Sequence, residues 1–285
     1  MKAQLLEMLE TKGKLPVLPD ILVKLQNLLG DPDAWVVDVV RLIELEPTLA
    51  GNILSIANSA YYTTGHQKIT TLLMAVNKLG LDKIKQVVFS LEIIKLFEKT
   101  KLLDMTQFWK HSLAVANLSQ MMAVYTNRLL SHLGTVYLSG LMHDVGIIVF
   151  CYIIPDDYAD FLADAEKKQN RFETLEKNRF GIDHQEIGAH FIEKWWKVDP
   201  LIAEAVRNHH THCSGTTPEE QCRQLTYMAN RICIAHGQAN GINCLSEPFK
   251  PQEMEPLGLS PDDVGKMKND VKTAIAQSAS LLEHR

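Results

Sequence analysis

An all-helical fold is what this sequence predicts, and three observations carry that reading. Apolar residues recur at helical spacing along nearly the whole chain. Helix starts and stops (Ser, Thr, Asp or Pro at one end, Gly, Asn or Pro at the other) fall between those apolar runs. No alternating strand pattern of useful length interrupts them, and no internal repeat is evident. With 285 residues the chain exceeds one small domain, so one large or two smaller helical units are expected.

The first half reads as a series of short helices. After an elbow at Pro16–Pro19, Leu22, Leu25, Leu28 and Leu29 repeat with helical spacing until Gly30-Asp31-Pro32 stops them. The next segment runs from Trp35 to Leu45 and is closed by Pro47. Leu49, Ile53 and Ile56 line one face of a helix ending at Asn58-Ser59, where the Asn58 amide is expected to satisfy backbone groups. Tyr61, Tyr62 and Gly65 form a loop, and the tyrosines are placed to line a cleft between subdomains. Thr70 and Thr71 can cap a short helix that ends at Gly80, a residue able to take positive φ. Asp82 then caps a helix through Val87, Val88, Leu91, Ile94 and Phe97. Lys83, Lys85, Lys95, Lys99 and Lys101 interleave with those apolar positions and read as a solvated face rather than a ligand patch.

The second half opens with a long helix from about Thr106 to Tyr125, carrying His111 near its start. Another runs from about Thr135 into Leu141-Met142-His143-Asp144, with Gly146 marking a bend. A helix through Tyr158 and Leu162 and a short one near Glu173 follow. Asp183 can cap a helix holding His184, Ile187, Phe191, Trp195 and Trp196, whose large aromatics are expected to pack the bundle. Pro200 starts the next helix, which ends at His209-His210, and a helix from about Glu219 to His236 contains Asn230. A last helix starts at Ser260-Pro261-Asp262-Asp263, and Val264, Met267, Val271, Ile275 and Leu282 give it one apolar face for packing onto the body. The join is placed near Leu103–Thr106, giving an N-terminal helical subdomain (1–105), a helical bundle (106–245) and a tail with a packing helix (246–285).

Composition narrows the class. The chain is 46% hydrophobic and 22% charged, enough for a sizeable core. A net charge of -5 argues against general nucleic-acid binding, which normally shows a basic bias. Five scattered cysteines without a CxxC suggest a reducing cytoplasm. Acids Glu7 and Glu10 stand where a signal peptide needs its apolar stretch, and the longest apolar run, Val145 to Ile154, is too short for a bilayer, so a cytoplasmic protein with no membrane association is expected.

Within the second half a series of histidines and one acid stands in or beside the helices: His111, His143-Asp144, His184 and His209-His210. Imidazole nitrogen and carboxylate oxygen are the donors that borderline divalent metals prefer, and an adjacent His-Asp pair offers two from one helix end. The bland reading is a set of histidines hydrogen-bonded inside a bundle core. A separate zinc site from His209, His210, His212 and Cys213 is disfavoured, because four ligands in one turn rarely reach a common tetrahedron.

A set of phrases in fixed order adds to this. They are Leu15-Pro16-Val17-Leu18-Pro19, Glu46-Pro47-Thr48-Leu49, Ala57-Asn58-Ser59-Ala60 and Ala75-Val76-Asn77-Lys78-Leu79-Gly80 in the first half. Trp109-Lys110-His111-Ser112, Gly140-Leu141-Met142-His143-Asp144-Val145-Gly146, His184-Gln185-Glu186-Ile187-Gly188 and Asn208-His209-His210 continue it. Together they resemble the HDOD family of bacterial signalling domains, relatives of the HD metal-dependent phosphohydrolases, from about Leu15 to Ala235. The resemblance implies an N-terminal helical subdomain packed on an HD-like bundle. It also implies that His111, His143, Asp144, His184, His209 and His210 hold divalent metal, with Asp144 holding one ion or bridging two and with Fe, Mn, Zn and Mg all compatible. His111, His143, Asp144, His184 and at least one of His209 and His210 are then expected in one first coordination shell. The function it implies is a cytoplasmic regulatory module acting through a signalling protein partner or a nucleotide, with little or no turnover. The alternative is a metal-dependent phosphohydrolase acting on a nucleotide or phosphate ester, with Asp144 as the catalytic group.

Two departures favour the first reading. HD phosphohydrolases usually carry a further Asp on a late helix, and the alignable position here is Asn230, whose amide lacks the carboxylate charge. In the cyclic-dinucleotide phosphodiesterase branch the His-Asp pair is followed by Gly-Lys, whereas here Gly146 is followed by Ile147, and the Gly-Tyr-Pro signature of that branch is replaced by Thr211 to Pro218. Restoring Ile147→Lys together with Asn230→Asp carries the expectation of higher turnover.

Overall fold

The computed structural model describes residues 1–11, 15–29, 36–59, 62, 68–97, 100–168, 170–242, 249–259 and 268–283, and among them regular structure is helical with no strand. The first half holds α1 (Lys2–Thr11), α2 (Asp20–Leu29), α3 (Val36–Glu44), α4 (Pro47–Ala57), α5 (Leu72–Leu79) and α6 (Leu81–Leu96). The second holds α7 (Met105–Tyr125), α8 (Leu133–Met142), α9 (Val145–Ile153), α10 (Pro155–Ala165), α11 (Phe172–Phe180), α12 (His184–Phe191), α13 (Pro200–Asn208), α14 (Pro218–Ala235) and α15 (Lys268–Glu283). The stop at Gly30-Asp31-Pro32, Trp35, Tyr61, Gly65, Lys99 and the helix start at Ser260-Pro261-Asp262-Asp263 lie outside the described residues.

Helices α2 to α6 pack on one another and bury Leu22, Leu25, Ile43, Ile53 and Ile56, the apolar stripe that sequence spacing places on one face. Thr71 caps α5 by accepting from the Met74 N–H at 3.2 Å. Gly80, with φ of 84°, closes α5 and opens α6 directly, so Asp82 is not the cap but a first-turn acid on the favourable end of the helix dipole. Asn58 does more than end its helix. Its Oδ1 accepts from the Ile69 N–H while its Nδ2 donates to the Ile69 and Leu54 carbonyls, each at 2.8 Å, which locks the end of α4 to the backbone leading into α5. Asn58→Ala is expected to destabilise the protein by about 1–3 kcal/mol, since three backbone partners lose their bonds. Urea unfolding measures this, and a change under about 0.5 kcal/mol would show the clamp to be idle.

In the second half α7 is the central element, capped by Asp104, whose Oδ1 accepts from the Thr106 and Gln107 N–H groups at 3.0 Å each. Helices α8, α14 and α15 pack along it and bury Leu118, Met122, Leu225, Ala229, Val271 and Ala274. The last helix thus returns to the body through the face its apolar residues form. Helix α12 packs on α9 and α13, and α13 on α8 and α14. One turn of π-helix, Ile192–Trp196, follows α12 and seats Trp196 against Phe97 and Phe191, with ring centroids at 5.8 and 5.0 Å.

The two halves share one core that runs from Leu5 through Phe97, Trp109 and Phe150 to Leu282. Helix α6 meets α8 through a 2.8 Å hydrogen bond between Ser90 Oγ and the Tyr137 hydroxyl. Helix α1 packs on α9, and ion pairs Lys2–Glu186 and Lys194–Glu10 tie its surface to α12 and the π-turn. Among the described residues no single helix is long and apolar enough to cross a membrane. Leu130–Met142 and Val145–Ile153 pass that test only as a pair, bent by 45°, and both are largely core elements here.

Two sequence expectations need correction. The chain turns at His143-Asp144, before Gly146, and the glycine instead sits in the first turn of α9 where α12 crosses it. A Cβ at Gly146 would lie 1.8 Å from the His184 carbonyl oxygen, so only glycine allows this approach. Lys95 and Lys101 are exposed as expected of a solvated face, but Lys83 is not part of it. Its amine turns inward, 3.3 Å from Asn117 Oδ1 and 5.7 Å from the centre of the Tyr137 ring.

Candidate metal centre

The His-Asp pair lies in the break between α8 and α9, which frees both side chains from the helix surface and aims them into the bundle. His111 comes from the second turn of α7, and His184 opens α12 just after the Asp183 cap, whose Oδ1 accepts from the Glu186 N–H at 2.9 Å. His209 and His210 follow the end of α13. The Gly146 crossing brings α12 against α9 and so carries His184 to Asp144.

All six side chains anticipated from the sequence come together, but in two groups that share one carboxylate. His111, His143 and Asp144 form one group, and Asp144, His184, His209 and His210 the other, with ligand atoms inside each within 4.8 Å of one another. Asp144 Oδ2 stands 3.2 Å from His143 Nε2 and 3.6 Å from His111 Nε2. Its Oδ1 stands 3.3 Å from His209 Nε2 and 3.7 Å from His184 Nε2. The ligand atoms thus divide between the two oxygens of Asp144, His111 and His143 near Oδ2 and His184 and His209 near Oδ1.

The hydrogen bonds on the far side of each ring fix what the near side can do. Nδ1 of His111 lies 2.7 Å from the Gln238 carbonyl oxygen, that of His143 2.7 Å from Gly140 O, and that of His209 2.8 Å from Val206 O. A carbonyl only accepts, so each of these Nδ1 atoms carries the proton and each Nε2 presents a lone pair. His184 Nδ1 faces the Glu176 carboxylate at 2.5 Å in the same sense. The 3.1 Å between Nε2 of His111 and Nε2 of His143 thus sets lone pair against lone pair, whereas His184, held as a cation beside Glu176, can donate its Nε2–H to His209 Nε2 at 3.2 Å. His210 Nε2 joins them at 3.1 Å from that of His184. Imidazole lone pairs that face one another beside a buried carboxylate are repulsive without a cation, and carbonyl- or carboxylate-anchored imidazoles are the usual support of metal ligands. The donor set fits a divalent metal on each side of Asp144.

Ionisation follows the same pattern. Burial, the neighbouring His143 and other like-charged rings hold His111 near a pKa of about 4 against the pull of Asp144. Burial likewise depresses His209 to about 4 and His210 further. Burial works against charge on His184 too, but Glu176 and then Asp144 raise it to about 9. Burial also opposes the Asp144 charge, yet His143 and His209 keep its carboxyl well below the usual carboxylate range. His111, His209 and His210 thus stand as neutral imidazoles, the form that metals bind, whereas Glu176 and Asp144 hold His184 as a cation until a metal displaces its proton.

Sequence reasoning missed two supports. Glu176 is fully buried on α11 and accepts from the Tyr158 hydroxyl at 2.6 Å, the His184 N–H at 2.8 Å and His184 Nδ1. The signal was present: Phe172, Leu175 and Phe180 form an apolar stripe, and Glu176 falls on it. Asn240 donates from Nδ2 to Asp144 Oδ2 at 2.8 Å. The amide at the acid is therefore Asn240, while Asn230 is buried on α14 and its Oδ1 has no hydrogen-bond partner among the described residues. His212 and Cys213 join neither ligand group; Cys213 Sγ instead lies 3.3 Å from the Glu220 carbonyl.

Fold and site together define an all-helical protein built around a candidate divalent-metal centre. The HDOD domain family model matches residues 15–212, and the chain belongs to that family. Its fold is similar to that of an HDOD domain protein from Geobacter sulfurreducens, with a TM-score of 0.80 and 23% identity over 99% of both chains. A candidate phosphohydrolase from Shewanella amazonensis matches with a TM-score of 0.74 and 21% identity over 98% of both chains. A candidate signal-transduction protein from Marinobacter aquaeolei gives 0.75 and 21%, covering 94% of this chain and 60% of that one. In sequence the chain is 24% identical over 196 residues to an uncharacterised protein of Treponema pallidum, an alignment covering 69% of this chain and 37% of the relative.

Proposed function

We propose that the protein is an HDOD-type regulatory module that holds divalent metal at Asp144 and acts through a protein partner or a nucleotide with little or no turnover. In this reading residues 1–105 form an N-terminal helical subdomain, 106–245 the HD-like bundle and 246–285 a tail with a packing helix. The metal would be held by His111 and His143 on Oδ2 and by His184, His209 and His210 on Oδ1. The observation that carries low turnover is closure. His111, His143, Asp144, His184 and His209 are each no more than 2% exposed, and only His210 is partly open. Structural metal sites are closed by protein ligands, whereas catalytic ones keep a position open to substrate, and burial this deep leaves little approach except beside His210.

The second reading, a phosphohydrolase of nucleotides or phosphate esters, is favoured by the complete histidine set. A bound metal would supply it with a polarised phosphoryl oxygen and a more acidic water. The chain's own residues would have to neutralise the phosphate, and Ile147 stands where the phosphodiesterase branch has lysine. Ile147 is fully buried, so Ile147→Lys would bury an ammonium and is expected to unfold the bundle before it could raise turnover.

Hydrolysis of cyclic dinucleotides by the metal-loaded protein is expected to be absent or lower by about two to three orders of magnitude than positioned phosphate stabilisation allows. A panel of cyclic dinucleotides, nucleotides and aryl phosphates tests this. Rapid turnover lost in Asp144→Ala would establish the enzyme instead.

A further inference from the structure

A second site is built where the two halves meet, away from the histidine cluster. A cleft of about 600 Å³ opens between the end of α5, the first turn of α6, the middle of α7 and the last helix, α15. That volume suits a small molecule. Its walls carry Lys78, Lys83, Asn117, Gln120, Thr273 and Gln277. They come from four separate helices and meet only in the folded chain.

Lys83 is the unusual member. Its Nζ makes only long hydrogen bonds to the amide oxygens of Gln86 at 3.4 Å and Asn117 at 3.3 Å, and among the described residues no carboxylate lies within ion-pair distance. The Asn117 amide is oriented for this by donating its Nδ2 to the Leu113 carbonyl at 2.9 Å, leaving Oδ1 for the amine. Burial pushes the Lys83 pKa down to about 8, so the site holds an amine that lacks a counter-charge. Buried ammonium groups are normally paired, and a methionine would fill the same space without the desolvation cost. The second cation, Lys78, lines the same cleft and donates to a carbonyl, Ala57 O, at 3.3 Å. Further out, the adjoining groove is lined by Asp82 and Asp270, with Asp82 paired to Lys85 at 3.1 Å. Lys83 lines that groove too, and the two acids beside it disfavour a long polyanion over a small one.

We propose that this cleft binds a small organic anion, a metabolite bearing a carboxylate or phosphate group, with that group seated on the amines of Lys83 and Lys78. The amides and the Thr273 hydroxyl on α15 supply hydrogen bonds to the rest of the molecule. Because α15 forms one wall, occupancy would fasten that helix to α5, α6 and α7 together. The site is independent of the metal reading, since it shares no residue with it.

The test is titration calorimetry on the full chain with four probes: inorganic phosphate, acetate, phenyl phosphate and benzoate. Phenyl phosphate or benzoate is expected to bind with a Kd of about 1 mM or tighter, and whichever is preferred identifies the anionic group. Lys83→Met should weaken that binding at least about tenfold, because it removes a charge-assisted bond in a desolvated site. Its melting temperature should stay level or rise, which keeps misfolding from explaining the loss. Thr273→Phe, which fills the cleft from α15 without touching the amine, should weaken binding as well. Asp144→Ala should leave binding unchanged, separating this site from any phosphate held by metal. No heat from any probe at about 10 mM, equal binding by Lys83→Met, or loss in Asp144→Ala would each overturn the proposal.

Discussion

Asp144→Ala is expected to abolish divalent-metal binding on both sides of the site at once. One carboxylate serves two groups, so its removal takes an oxygen from His111 and His143 and the other from His184, His209 and His210. Among the described residues no other acid stands in either group to replace it. The loss should exceed the roughly 10–100-fold typical of removing an outer-shell partner, because a charged ligand is lost outright. His111→Ala should behave differently and spare the group on Oδ1, leaving part of the metal in place. Elemental analysis after dialysis, on variants whose circular dichroism is unchanged, reads out both. Full metal content in Asp144→Ala would show that the histidines bind without the bridge and that the two-group arrangement is wrong.

The second large effect is structural. Gly146→Ala is expected to cost about 3–5 kcal/mol, well beyond an ordinary helix substitution. The added Cβ would meet the His184 carbonyl oxygen at 1.8 Å, its carbon at 2.6 Å and the Gly188 nitrogen at 2.9 Å, all backbone atoms that cannot rotate away. Helices α9 and α12 would have to separate, and His184 would move off Asp144 with them. Gly134→Ala is the control: nothing lies within 4 Å of its Cβ position and it sits at the start of α8, so it should be neutral or slightly stabilising. Urea denaturation of the two variants decides it. If Gly146→Ala unfolds at the wild-type midpoint, the helices do not cross as closely as described.

Most of the helices were legible because their cause is local. The Thr71, Asp183 and Pro200 starts and the apolar spacing of α2 to α6 are all written within a few residues. The six metal-type residues were legible for another reason: their donor chemistry and order identify them, although nothing in the sequence shows them meeting. What the sequence hid was tertiary. Gly146 looks like a bend in one dimension and is a helix crossing in three. Glu176 looks like a surface acid unless its position on the Phe172–Phe180 stripe is noticed. Asn240 reaches Asp144 across 96 positions, a contact that no spacing rule encodes. Lys83 was misread because α6 is packed on both sides, with Gln86, Ser90 and most apolar residues buried, so helical periodicity no longer marks a wet face.

The central claim is that the acceptor-lined space around Asp144 holds divalent metal. Anomalous X-ray diffraction from crystals of the purified protein, collected above and below the absorption edge of the metal found by elemental analysis, tests it most directly. The expected result is anomalous density in contact with Asp144, one peak on the His111–His143 side and one on the His184–His209–His210 side. Absence of any peak in metal-loaded crystals, with the Nε2 atoms bonded instead to water or to one another through protons, would contradict it.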